Sequence, residues 1–134
     1  MRRFGRRRAR LALVMGMVCA LGLALCLQAA LAHKVTYSSS LQLKDDPLTD
    51  TTTQYSGKVS SIKGACEVGR PVTVTANGTV VATATSVIGG GWSASGPRQV
   101  KGTTLIATIP RKILVRNKKH RHKCTAAAAQ RRAK

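Results

Sequence analysis

One fifteen-residue stretch, PVTVTANGTVVATAT from Pro71 to Thr85, constrains the fold more than any other. Two runs rich in β-branched residues flank Asn77-Gly78, the dipeptide that best tolerates the two positive φ angles of a type I′ turn. A two-residue loop predicts Val74 opposite Val81 and Thr75 opposite Val80. β-Branched side chains lose rotamer freedom in helices and pack well on pleated sheets, so the chain around this hairpin is expected to be sheet.

The surroundings extend that expectation. A first strand is predicted around Val35 to Tyr37, and YSGKVSS alternates weakly before a Gly-Ala-Cys turn. Gly89-Gly90-Gly91 breaks the chain ahead of Trp92, and a lone Trp after glycines that permit close approach is expected at the centre of the core. TTLIATIP and KILVRN supply two more strands divided by Pro110, which cannot donate to a ladder. KDDPLTDTTTQ, residues 44–54, is polar and turn-rich and is expected as a linker. TAAAAQRRAK, residues 125–134, has the only helix-like composition but is too short to hold a helix alone, so it is expected as a basic, disordered tail. About seven short strands result, the pattern of an all-β, Ig-like sandwich.

Residues 1–32 carry a different signal. MRRFGRRRAR precedes the apolar run Leu11 to Leu27 and the tripeptide Ala30-Leu31-Ala32, the order of a signal peptide with an A-x-A cleavage site. A retained leader would make a membrane anchor, and the Arg pairs leave the export route open between general and twin-arginine systems. Val18 and Leu25 stand where a lipobox needs a small residue, so Cys19 and Cys26 are read as apolar members of this segment. Cleavage after Ala32 leaves 102 residues, one small domain, divided as an N-terminal strand and linker (33–54), a sandwich (55–124) and a tail (125–134).

Export also decides how the remaining cysteines are read. Cys66 and Cys124 are expected to form one disulfide in an oxidising compartment. The bond would close a loop of roughly 58 residues, for which the chain-entropy estimate is about 4 kcal/mol.

At this point the residues resemble a known group. Gly57-Lys58-Val59, the G-R-x-V-x-V run Gly69 to Val74, and Gly90-x-Trp92 are similar to motifs of the carboxypeptidase regulatory-like and transthyretin-like domains, in the short, basic, exported form of actinobacterial type. The likeness covers about Tyr55 to Thr125 and implies an Ig-like sandwich serving as a non-catalytic module. The basic exported versions also pair an early with a late cysteine. Where many relatives carry T-D-x-x-G before the G-x-W strand, this chain has Thr85 to Gly89 without an Asp, which removes any implied calcium or fixed turn there.

Charge is the main functional signal. Six of the 23 Lys and Arg lie in the leader, which leaves 17 cations against four acids and a net charge of +13. From Arg98 to Lys134 there are twelve Lys and Arg and no acid. Arg111, Lys112, Arg116, Lys118, Lys119, Arg121, Lys123, Arg131 and Arg132 are therefore the candidate residues for holding an anionic cell-wall or surface polymer. Base-stacking aromatics are nearly absent, which argues against sequence-specific nucleic-acid binding.

RNKKHRHKC, residues 116–124, raises a metal alternative. On a strand His120, His122 and Cys124 share a face, and imidazole with thiolate suits zinc or copper. A disulfide would occupy the sulfur, and the neighbouring cations oppose a metal ion, so the segment is expected as a basic edge strand tied to Cys66. A second arrangement would use His33 as the mature N-terminus, with His120 and His122, to chelate copper or zinc. Asp45, Asp46 and Asp50 are expected in a solubilising linker, with a loose calcium loop as the alternative. No nucleophile elbow, free Cys-His pair or phosphate loop is present, and no enzyme activity or cofactor is expected. Asn77-Gly78-Thr79 is also a glycosylation sequon, read as a hairpin signal.

Overall fold

The computed structural model describes residues 34–117 and 120–134, with the side chains of 116, 117 and 120 excepted. Lys34–Lys134 forms one compact unit, and it is an all-β sandwich. Its strands are β1 (Lys34–Tyr37), β2 (Ser40–Leu41), β3 (Lys44–Pro47), β4 (Thr52–Ser60), β5 (Pro71–Ala76), β6 (Thr79–Thr85), β7 (Gly91–Pro97), β8 (Thr104–Ile109), β9 (Lys112–Asn117), β10 (His120–Cys124) and β11 (Ala127–Arg132). One short 3-10 turn covers Gly64–Cys66.

The first sheet has the order β11-β8-β5-β6; the second places β2 and β3 along one edge of β4 and β7 along the other. Alternation explains why these segments are strands: Val72, Val74 and Ala76 of β5 and Leu105, Ala107 and Ile109 of β8 are buried, while the residues between them face outward. They meet Leu41, Tyr55, Val59 and Trp92 of the second sheet in one hydrophobic cluster, with Leu43, Ala82 and Ala133. Trp92 thus lies in the core, as its place in the sequence predicts.

Asn77 and Gly78 close the β5–β6 hairpin with φ of 49° and 83°, and Thr75 pairs with Val80 as expected. Val74 pairs with Ala82, however, and Val81 is an inserted residue. The reason is parity. Ala82 must turn inward beside Val74 while Val80 stays outside, and two residues spaced by two share a face unless a bulge intervenes.

Gly57 is required by a close approach. A Cβ there would lie 1.9 Å from the carbonyl oxygen of Gln42 and 3.0 Å from Trp92 Cε2. Gln42 sits between β2 and β3, so this approach lets both strands pair with β4 in succession.

Three expectations are corrected. Residues 44–54 are not a linker: β3 pairs with β4, and Asp45 is buried. Residues 125–134 are not a disordered tail: β11 pairs with β8 along its whole length and Ala133 enters the core. Inward Ala127, Ala129 and Arg131 alternate with outward residues, but alanine on both faces conceals that period. The sandwich therefore extends well beyond 55–124 on both sides.

The third correction concerns β10. It is the central strand of a separate three-stranded sheet, β1-β10-β9, and not an edge. β1 pairs with it in parallel and β9 antiparallel.

Candidate polyanion-binding surface

Strand parity sorts the residues of the three-stranded sheet. Arg121 pairs with Val115 on one side and Lys34 on the other; Lys123 pairs with Ile113 and Thr36. All six are exposed. The opposite face carries Cys124, which is buried, and His122, Leu114, Lys112, Val35 and Tyr37, which are half-buried. The outer face thus carries three cations, with no acid among its described residues. Along β10 the cations are about 7 Å apart, and adjacent strands lie about 5 Å apart. Such a grid presents repeated positive charge to a repeating anion.

Two fastenings stand out among the contacts that hold this sheet to the sandwich. The first is the expected disulfide between Cys66 and Cys124, both fully buried. The second is Arg70, which the sequence shows only as a letter in the G-R-x-V-x-V run. Its side chain is fully buried. Nη1 donates to the Cys66 carbonyl at 2.8 Å and to Ser39 Oγ at 3.2 Å. Nη2 donates to the carbonyls of Pro110 at 2.5 Å and Thr125 at 2.8 Å.

These acceptors lie before β2, beside the disulfide, ahead of β9 and after β10. A planar fork of donors can span them where a lysine ammonium cannot. Burial pulls the guanidinium pKa below its ordinary value, yet the side chain remains cationic at neutral pH. The Arg70 backbone is held as well, its N–H donating to Ser86 Oγ at 2.9 Å.

The candidate cations divide into those already engaged and those presented to solvent. Lys112 Nζ donates to the carbonyls of Val68 at 2.7 Å and Ala65 at 3.3 Å. Arg131 is paired through Nε with Asp45 Oδ1, and these atoms have no other partner. Arg132 Nη1 donates to the Gly102 carbonyl at 3.0 Å. Lys112 and Arg131 thus serve the fold, a correction to their place in the candidate set, because acceptors within the fold claim their charge first. Arg111, Arg121 and Lys123 are exposed. Lys34, exposed on the same sheet, was missed because its nearest cations in sequence are remote and only the parallel pairing brings it beside Arg121. Lys118 and Lys119 lie outside the described residues, as does the side chain of Arg116.

The acids sit elsewhere. Asp45 pairs with Arg131, Asp46 with Lys134 at 3.3 Å, and Asp50 with Arg98 at 3.8 Å. Asp45 Oδ2 also accepts the Lys134 N–H at 2.8 Å. These contacts lie beside the ends of β3, β7 and β11, away from the disulfide, and they replace the calcium-loop alternative. Glu67 Oε1 accepts the Ser61 N–H at 2.9 Å.

Among the described residues, no three His, Cys, Asp or Glu side chains come together. Cys124 is committed to the disulfide, which removes the His120, His122 and Cys124 triplet. His122 packs its ring 5.7 Å from that of Tyr37, and its Nδ1 is buried without a partner. His33 and the side chain of His120 lie outside the described residues. Also among the described residues, no helix is long and apolar enough to cross a membrane. No family model, curated protein or solved structure matches this chain.

Proposed function

We propose that the protein is an exported, non-catalytic binding module held against an anionic envelope polymer by the outer face of its β1-β10-β9 sheet. The observation that carries this reading is the segregation of charge. Asp45, Asp46 and Asp50 are each matched by a cation, whereas Lys34, Arg121 and Lys123 share an exposed face without an acid among its described residues. In sequence, Arg116 near the end of β9 and Lys118 and Lys119 between β9 and β10 add three more charges. The leader pattern and the disulfide support an oxidising, extracytoplasmic setting.

Such attachment works by release of counterions from a polyphosphate or polycarboxylate, so it weakens steeply with salt. The test is retention of the exported protein on immobilised teichoic acid and heparin over a salt gradient. Lys34→Gln with Arg121→Gln and Lys123→Gln is expected to reduce the salt slope by about 2 to 3, near one unit per lost contact. Retention that ignores salt, or a triple variant that elutes with the parent protein, would overturn the reading.

A further inference from the structure

The outer face of the three-stranded sheet carries more than charge. Ile113 is 49% and Val115 65% exposed, and register places them opposite Lys123 and Arg121 respectively. A pleated sheet directs these side chains the same way as Lys34. Two aliphatic groups therefore stand in one row beside cations in the next. A soluble polyphosphate has nothing to offer Ile113 and Val115, because its groups are solvated on all sides. A bilayer containing anionic phospholipid offers both: headgroup phosphates for the cations and an interfacial region into which aliphatic side chains can enter.

We infer that this face is a docking surface for an anionic phospholipid bilayer, with Lys34, Arg121 and Lys123 at the headgroup phosphates and Ile113 and Val115 entering the interface. The inference rests on the basic-sheet reading above and names a partner for the same face. The opposite face is unsuited to the task, since Cys124 is buried there and Lys112 is held by carbonyls. The fastenings described above have a role in this reading. A sheet joined firmly at Cys66, Cys124 and Arg70 presents its five side chains as one rigid array, without the ordering cost that a flexible basic segment incurs on binding.

The test is co-sedimentation of the exported protein with phosphatidylcholine vesicles containing 0 or about 30% phosphatidylglycerol, run beside the heparin gradient. Binding is expected to the anionic vesicles only. Ile113→Ser with Val115→Ser is expected to weaken vesicle partitioning about tenfold while leaving the heparin elution position unchanged. The Gln variant of the three cations is expected to lower partitioning by about 100-fold, at roughly fivefold per charge.

A thermal melt of each variant confirms that the surface changes leave the fold intact. Vesicle binding unaltered by the serine pair, or equal binding to neutral vesicles, would overturn the inference. Retention on heparin with no vesicle binding would overturn it while sparing the polymer reading; loss of heparin retention in the parent protein would remove the polymer reading itself.

Discussion

The sandwich and the three-stranded sheet are held by different forces. The sandwich is a hydrophobic object: its buried cluster runs from Leu41 to Ala133 and draws on both sheets. Among their described residues, β1, β9 and β10 contribute no side chain to that cluster. Their attachment runs through a disulfide, a buried guanidinium and the Lys112 ammonium, all near Cys66. Burial of apolar surface makes a unit cooperative, because every residue depends on its neighbours remaining packed. A few strong fastenings make an appendage that can be released at those points. One small domain thus combines a self-supporting scaffold with a charged face that too few apolar residues could stabilise alone.

The largest test of this contrast is removal of the disulfide. Cys66→Ser with Cys124→Ser is expected to remove about 4 kcal/mol of chain-entropy stabilisation. The loss should be uneven: in hydrogen exchange, the amides of β1, β9 and β10 are expected to lose protection while those of β5 and β8 keep most of theirs. Equal loss in all strands would show that the two regions form one cooperative unit and would break the comparison.

Replacement of the guanidinium is the next step down. Arg70→Leu leaves the carbonyls of Cys66, Pro110 and Thr125 without their charged donor, and a cost of about 3 kcal/mol is expected. Arg70→Lys should recover only part, since a single ammonium cannot reach all three. Denaturant unfolding gives the magnitude. A change below about 1 kcal/mol would mean that the disulfide and Lys112 fasten the sheet without the guanidinium.

The smallest effect belongs to the sandwich. Tyr55 is fully buried and donates its hydroxyl to the Pro97 carbonyl at 2.8 Å. Burial, with the nearby Asp45 charge, raises its phenol pKa above 10.0. The folded state therefore holds this proton more tightly than the unfolded state, and the stability it contributes is present below pH 10 and is lost as pH rises through the folded pKa. Thermal melts between pH 9 and 11 should show the decline, and Tyr55→Phe should flatten it. An equal pH slope in the Phe variant would remove Tyr55 as the cause.

Legibility in the sequence followed the range of each interaction. The β5–β6 hairpin was readable because Asn77 and Gly78 meet a local φ requirement, and β8 because Leu105, Ala107 and Ile109 alternate with outward residues. The disulfide followed from a count of two cysteines once residues 1–32 were read as a leader. β3 and β11 were hidden because polar or small residues form good strands when another part of the chain supplies the partner. Asp45 and Arg131 belong to those two strands, and each looked like an exposed charge until the fold brought them together.

The candidate surface divides in the same way. The sequence alone determined an all-β chain, its cysteine pair, its excess of cations and the opposed faces of residues 121–124, because each depends on composition or on neighbouring residues. Only the tertiary structure decided that Lys34 stands beside Arg121, that Lys112 and Arg131 serve the fold, and that Arg70 fastens the sheet. Those outcomes depend on which distant acceptor or strand reaches a given side chain first, and no local pattern encodes such a meeting.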